Sequence, residues 1–230
     1  MTIDTTIADM IRDRIREEND QKTKDHTLSG KLSASILGWA TQWQVLKYLQ
    51  VPTSAYDDYT LCKFKRGEDV ESFAKRYLNK HESQVKVEYE GCIGYLDILL
   101  EGVPHEVKSV TNMKFKHLTK NGQADPQHKL QGAYYALGLG LPEYVVDYIA
   151  SDDYRILSFK YETSEMKQEI DTIISLYNTY IEAQKVPLFE PRYSWQSNQL
   201  YNSYPEFANL NADQIQDKLR SLDISWKTTQ

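Results

Sequence analysis

Apolar residues recur at helical spacing in residues 5–20, where Ile7, Met10, Ile11 and Ile15 stand among alternating charges, predicting a short amphipathic helix. QKTKDHTLSGK follows without periodicity and reads as a polar link. The helical period returns in SASILGWATQWQVLKYLQVP. There Ser33 or Ser35 caps a helix that Pro52 ends, with Ile36, Leu37, Trp43, Val45, Leu46 and Leu49 on its buried face. After the turn-like TSAYDDYT, KFKRGEDVESFAKRYLNKH predicts a second helix carrying Val70, Phe73, Ala74, Tyr77 and Leu78 on one face. The period then shortens to two in VKVEYEG, IGYLDILLEG and HEVKSVT, with turns marked by Gly91 and Gly102-Val103-Pro104, so a three-stranded meander is expected.

VTNMKFKHLTKNGQADP reads as a lysine-rich loop, and Asp125-Pro126 then start a helix that fills QHKLQGAYYALGLG. EYVVDYIAS and YRILSFKYE predict two strands around Ser151-Asp152-Asp153. A long helix near TSEMKQEIDTIISLYNTYIEAQK turns Met166, Ile170, Ile173, Ile174, Tyr177 and Ile181 to the core. Beyond Pro187 the chain is rich in tyrosine and asparagine, with one weak helix near 212–222. No internal repeat interrupts this order, which points to one mixed α/β domain. The expected division is an N-terminal helical extension and link over 1–30, a core over 31–190 and a C-terminal extension over 191–230.

Composition narrows the class. Hydrophobic residues make up 40% of the 230, enough for a packed core and too many for a disordered chain. The longest apolar runs fall far short of the ~20 residues that span a bilayer, and the charged N-terminus has no secretory apolar stretch. Two cysteines, Cys62 and Cys92, supply neither a disulfide framework nor a four-cysteine metal site; they read as small buried residues in a cytoplasmic protein (host-cell cytoplasm, were the source a virus). The net charge of -6 argues against a surface that coats nucleic acid.

The meander carries the chemistry. Asp97 lies in GYLDILL, and Glu106 and Lys108 stand two apart in HEVKS after eight intervening residues. Residues two apart on a strand share a face, and a hairpin of this loop length sets Asp97 beside Glu106. Two carboxylates held close repel, so one takes a proton or a cation sits between them. Hard oxygen ligands suit Mg²⁺ or Mn²⁺, and a lysine beside them can orient a water for attack on phosphorus. A charge inside the apolar run Ile93–Leu100 is costly without such a partner. His105-Glu106 begins like a zinc-protease motif, but position 109 is Ser, and neither a G-x-S-x-G nor a P-loop occurs.

GYLDILL followed by HEVKS resembles the PD-(D/E)XK nuclease superfamily, in particular its RecB-type exonuclease branch, related to CRISPR-adaptation and phage exonucleases. Gly67-Glu68-Asp69-Val70-Glu71 resembles the branch's G-x-x-x-(H/E) helix motif, and Gln131-Gly132-Ala133-Tyr134-Tyr135, preceded by His128, matches its Q-x-x-x-Y motif. The resemblance spans Gly67 to Tyr135 in the family's order, with similarity extending from about Ser33 to Pro187. It implies a restriction-endonuclease-like α/β core, a mixed sheet of about five strands flanked by helices. It also implies that Glu71, Asp97, Glu106 and the Val107 carbonyl hold one or two Mg²⁺ or Mn²⁺ ions. Lys108 would position the water, and Gln131 and Tyr135 would support the site and the DNA strand.

The implied activity is metal-dependent hydrolysis of DNA phosphodiester bonds, leaving a 5′-phosphate, by an exonuclease or single-strand nuclease in processing, recombination or repair. The partners so implied are single-stranded DNA or duplex ends and a recombination or replication protein, with no membrane. Competing readings are a catalytically silent DNA- or protein-binding module and a structure-specific or RNA-directed endonuclease on the same core. Many members of the branch carry four cysteines around an iron–sulfur cluster. Here the corresponding Trp195-Gln196-Ser197-Asn198-Gln199-Leu200 has none, so no cluster is expected, and packing by Tyr193, Trp195, Tyr201, Tyr204 and Phe207 stands in its place.

Cations concentrate between the third strand and the Q-x-x-x-Y helix. Lys114, Lys116, Lys120, His128 and Lys129 are the expected phosphate contacts there, with His105 and His117 nearby and Phe115 available to stack on a base.

Overall fold

The computed structural model describes residues 6–25, 31–53, 56–198 and 202–226. Its centre is the predicted meander: β1 (His81–Tyr89), β2 (Cys92–Leu100) and β3 (Val103–Val110). Both connections are two-residue turns in which a Glu and a Gly take positive φ in succession, Glu90 47° and Gly91 78°, then Glu101 50° and Gly102 80°. Two left-handed residues in a row match the twist of the flanking strands and fix an antiparallel hairpin. Val103 and Pro104, expected in the second turn, instead open β3.

β3 pairs in parallel with β4 (Glu143–Ala150), which pairs antiparallel with β5 (Ile156–Glu162), giving one five-stranded sheet in the order β1-β2-β3-β4-β5. Parallel neighbours need a long crossover, here α4 (Asn112–Asn121) and α5 (Pro126–Leu139). The existence of α4 corrects the sequence reading of this stretch as a loop. Thr111 Oγ1 accepts from the Lys114 amide at 3.3 Å, Gly122 ends the helix in the left-handed region, and only Phe115 and Leu118 are buried. Two apolar positions in ten residues leave almost no periodic signal, and the helix depends on its caps and on β4 beneath it.

The helix expected from Ser33 to Pro52 is also broken. A 3₁₀ turn (Ala34–Ile36) and α2 (Thr41–Tyr48) are separated by Leu37–Ala40. Two buried amides bond the carbonyls of this break. Gln44 Nε2 donates to Ile36 O at 2.9 Å and Leu37 O at 3.1 Å, and Gln196 Nε2 donates to Gly38 O at 2.8 Å. Gly38 lies so close to α5 that a Cβ there would stand 2.8 Å from Gln127 Cβ. Tertiary hydrogen bonds and close packing outweigh local helix propensity here.

α3 (Asp58–Tyr77) starts at an Asp57 cap, whose carboxylate accepts from Thr60 N at 2.8 Å. It covers one face of the sheet through Val70, over Ile98, Val107 and Ile149. Tyr77, expected on that face, is exposed, while Phe73 stacks on Tyr154 with centroids 4.1 Å apart. The opposite face holds the main core, where α5 and α6 (Ser164–Glu182) bury Leu130, Tyr134, Tyr135, Ile170 and Ile174. The predicted apolar face of α6 is buried from Met166 to Tyr177, with Ile181 packed at its edge.

α1 (Thr6–Asp25) forms where a helix was expected but runs on through Asp25 into the stretch read as a link, and Ile7, Met10 and Ile11 remain exposed. The helix meets α3 through the Arg16–Asp58 ion pair at 2.7 Å and Lys65–Glu18 at 3.1 Å. Beyond α6, a 3₁₀ turn (Ser194–Ser197) and α7 (Ala212–Ser221) pack back on the main core, burying Gln196, Tyr204, Phe207, Ile215 and Leu219. Tyr201 lies outside the described residues. Cys92 is buried and its thiol is pushed up to about 12 by that burial; Cys62, expected to be buried, is exposed. Among the described residues no helix is long and apolar enough to cross a membrane.

Candidate active site

Strands β2 and β3 pair only from their turn as far as Ile98 and His105. Beyond that point they separate, and a side chain replaces the ladder: Asp97 Oδ2 accepts from the Val107 amide at 3.0 Å. The strand edge freed at Ile93 is taken by the segment before the first 3₁₀ turn, Ile93 N donating to Leu32 O at 2.9 Å. The fork so made is where Asp97, Glu106 and Lys108 meet, as their spacing predicted.

Glu106 is 0% exposed. Its Oε1 faces the Lys108 ammonium in an ion pair, and Oε2 has no hydrogen-bond partner among the described residues. Burial pushes the Glu106 carboxyl up to about 8; Lys108 opposes this, and Asp97 and Glu71 add to it. Asp97 is likewise raised by burial, with Glu71 adding and Lys108 and the Val107 amide opposing. Burial alone would lower the Lys108 ammonium, but Glu106, Asp97 and Glu71 together raise it. Three acids and two lysines, Lys108 and Lys75, thus share a single field. Desolvation and the nearby like charges both favour the protonated form of the Glu106 carboxyl.

Glu71, on α3, stands within that field but is turned to its own neighbours. Its Oε1 pairs with Lys75 Nζ, and Gln84 Nε2 donates to the same oxygen at 2.9 Å. Accordingly, among the described residues no three His, Cys, Asp or Glu side chains converge as a metal cluster. The donor set nevertheless fits a divalent cation, because Asp97 and the partnerless Glu106 oxygen offer hard anionic ligands in a buried fork. Neither Lys75 nor Gln84 was singled out from the sequence. Lys75 stands one helical turn after Glu71, the spacing at which an ion pair forms, so it was legible in retrospect.

The Q-x-x-x-Y pair is intact: Gln131 Nε2 donates to Tyr135 Oη at 3.2 Å. Tyr135 is buried, and its hydroxyl is raised by burial and then by Glu106, which places the ring beside the fork. Gly94 on β2 makes room for it, since a Cβ there would stand 2.7 Å from Tyr135 Cε1 and 2.6 Å from Ala34 Cβ. Gly94→Ala is therefore expected to destabilise by about 1–3 kcal/mol through overpacking. Denaturant unfolding measures this, and a loss under ~0.5 kcal/mol would show that the ring gives way freely.

The expected phosphate contacts divide. His128 Nδ1 lies 2.9 Å from Tyr148 Oη, and burial, Lys108 and Lys114 hold its imidazole well below the usual range, so it is a neutral member of the site rather than a cation. Lys114 pairs with Asp125 at 2.8 Å beside it. Lys116 and Lys120 are exposed farther along α4, whereas the Lys129 ammonium lies over the Tyr161 ring at 4.4 Å. Phe115 is buried, with the Arg155 guanidinium 4.9 Å from its ring centre, and so cannot stack on a base. His105 bonds Asp147 at 2.7 Å and His117 bonds Asn121 at 2.9 Å.

No protein-family model matches the sequence, and no curated protein matches it. Solved structures do. The alkaline exonuclease LHK-Exo of Laribacter hongkongensis superposes with a TM-score of 0.54 at 17% identity, covering 67% of this chain and 89% of its own. The same enzyme has been solved in complex with dAMP. The protein SSO0001 superposes with a TM-score of 0.53 at 18% identity over 89% of this chain and 98% of its own. The mixed five-stranded sheet and its flanking helices thus form a fold that the alkaline exonuclease also uses.

Proposed function

We propose that this chain is a metal-dependent DNA nuclease of the PD-(D/E)XK type. It hydrolyses phosphodiester bonds as an exonuclease or single-strand nuclease in DNA processing, recombination or repair. The observation that carries this reading is the β2–β3 fork, where the Asp97 carboxylate bonds the Val107 amide beside buried Glu106 and Lys108. Their likeness in fold to an exonuclease supports it.

Asp97, Glu106 and the Val107 carbonyl would hold Mg²⁺ or Mn²⁺, joined by Glu71 once it leaves Lys75 and Gln84. Such an ion, when bound, stabilises negative charge on a phosphate and lowers the pKa of a water. The rest falls to the chain's own groups. Glu106 must lose its proton to act as a ligand, and the neighbouring Lys108 ammonium stabilises the anion so formed. Lys108 itself, with 27% of its side chain exposed, points a positive charge at the water and phosphate that enter the fork. Tyr135, fixed by Gln131, excludes water from the inner side of Glu106. The neutral imidazole of His128 keeps a second positive charge away from Lys108.

The test is cleavage of labelled linear and circular DNA, single- and double-stranded, with Mg²⁺, with Mn²⁺ and with chelator. Metal-dependent cleavage is expected, falling at least ~10²-fold in Asp97→Ala and Lys108→Ala. Cleavage by the unaltered protein no greater than by those variants would leave a binding module instead. Cutting of circles would make it an endonuclease.

A further inference from the structure

We propose that the groove between the start of α5 and the Ser194–Ser197 turn is a nucleotide subsite, stacking an unpaired base on Trp195 and holding the adjoining phosphate on Lys114. This rests on the nuclease reading above and names where the strand beside the scissile bond is gripped. The groove has a volume of about 440 Å³ and is lined by Lys114, Asp125, Pro126, Gln127, Tyr193 and Trp195, a size suited to a small ligand.

Its chemistry is that of a nucleotide. Trp195 is 37% exposed, and its ring also packs on Trp43 at 6.3 Å, so it forms a plate that is backed by the core and open to the groove. Trp43 is in turn stacked on Phe189 at 5.5 Å with planes 20° apart. The backbone beneath Trp195 is pinned on both sides. Gln196 Oε1 accepts from Arg192 N at 2.7 Å, and its amide nitrogen donates to Gly38 O at 2.8 Å. A flat ring held this way loses little entropy when a base stacks on it. Pro126 and Tyr193 supply further apolar surface, and Gln127 a hydrogen-bonding amide.

Charge and position agree. Lys114 and Asp125 form a pair at the groove, and Lys116 and Lys120 stand exposed farther along the same helix α4. Gln127 Nε2 stands 3.3 Å from His128 Nε2, and His128 is within electrostatic reach of both Lys108 and Lys114. His128 in turn lies 2.9 Å from the Oη of Tyr148, the cross-strand partner of Lys108, so the groove and the fork are linked through Gln127, His128 and Tyr148. Phe115, the aromatic that sequence position suggests for this task, is buried; Trp195 arrives from the far end of the chain to take it.

Titration of a short single-stranded oligonucleotide in chelator, followed by tryptophan emission, tests the subsite. The unaltered protein should be quenched on binding, and Trp195→Ala should bind about tenfold more weakly or worse. Trp195→Phe, which keeps a ring, should bind within ~3-fold of the original while losing most of the quench. Lys114→Ala should lower the slope of log affinity against log salt by about 1. Because Trp195→Ala also removes packing on Trp43, a second measurement uses only the unaltered protein: an abasic oligonucleotide of equal length should bind more weakly by a similar factor. Metal-dependent cleavage with equal affinity for intact and abasic strands and for Trp195→Ala would overturn the subsite and leave the nuclease standing. Neither binding nor cleavage by the unaltered protein would overturn both.

Discussion

Glu106→Gln is expected to cut metal-dependent cleavage by about 10²–10³-fold while making the metal-free protein more stable at alkaline pH. The sign follows from the carboxyl's position. Unfolded, Glu106 ionises near 4.5; folded, burial holds it to about 8. Between those values the folded chain keeps a proton that the unfolded chain has released, so stability falls as pH rises through this window and is flat above it. Lys108, its ammonium raised above the ordinary value, stays charged throughout the same window and does not cancel the slope, while Asp97, also raised by burial, adds a decline of the same sign that both proteins share. Glutamine has the same shape and no proton to lose, so the variant's melting temperature should lose the part of this decline that Glu106 causes.

Divalent cations should reverse the pattern in the unaltered protein, because they bind the ionised form and compete with the proton. Mg²⁺ or Mn²⁺ should therefore raise its melting temperature more at pH 8.5 than at pH 6, and that of Glu106→Gln little at either. Melting curves from pH 5 to 9, with chelator and with metal, decide the matter. Parallel curves for the two proteins in chelator would mean that Glu106 is ionised at neutral pH and needs no cation.

Trp43→Ala is the substitution expected to cost most in stability, about 3–5 kcal/mol, as for other large aromatics removed from a core. Trp43 is 1% exposed. Its ring meets Trp39 edge-on at 6.0 Å, stacks on Phe189 and backs Trp195, so one side chain ties α2 to the segment that follows α6. Its Nε1 has no hydrogen-bond partner among the described residues. Trp43→Phe should therefore cost much less than Trp43→Ala, since it keeps most of the ring and removes a buried, unsatisfied donor. Equilibrium urea unfolding separates the two variants. Equal losses would show that the indole is held by its edge and not by its stacked face. Loosening of Trp195 in the alanine variant should appear as a red-shifted, more accessible tryptophan emission.

The elements read correctly from the sequence are those whose burial follows the backbone's own period. β2 alternates over most of its length because successive strand side chains point to opposite faces, and two Glu-Gly pairs fix the hairpins that join it to β1 and β3. The same logic places Met166, Ile170, Ile173, Ile174 and Tyr177 on one side of α6. The site was legible for a related reason. Asp97, Glu106 and Lys108 lie on adjacent strands of one hairpin, so their separation along the chain nearly fixes their separation in space.

Where the outcome depends on distant segments, local pattern misleads. α4 buries only Phe115 and Leu118, too few for a period to show, and it forms because caps and β4 complete it. The break at Gly38 follows from the Gln196 amide, 158 residues away, bonding its carbonyl, and from α5 pressing on its Cα. Glu71 reaches the field of the fork, yet Lys75 and Gln84, the latter from β1, decide which way it turns. The sequence by itself determined the meander, its turns and the three charged residues they bring together, because hairpin geometry is local. Only the tertiary structure decided that Glu106 is buried with an orphaned oxygen, that Phe115 is sealed in the core, and that Trp195 shares a groove with Lys114 and Gln127. Burial and long-range hydrogen bonds are properties of the assembled layers, and no short stretch of chain encodes them.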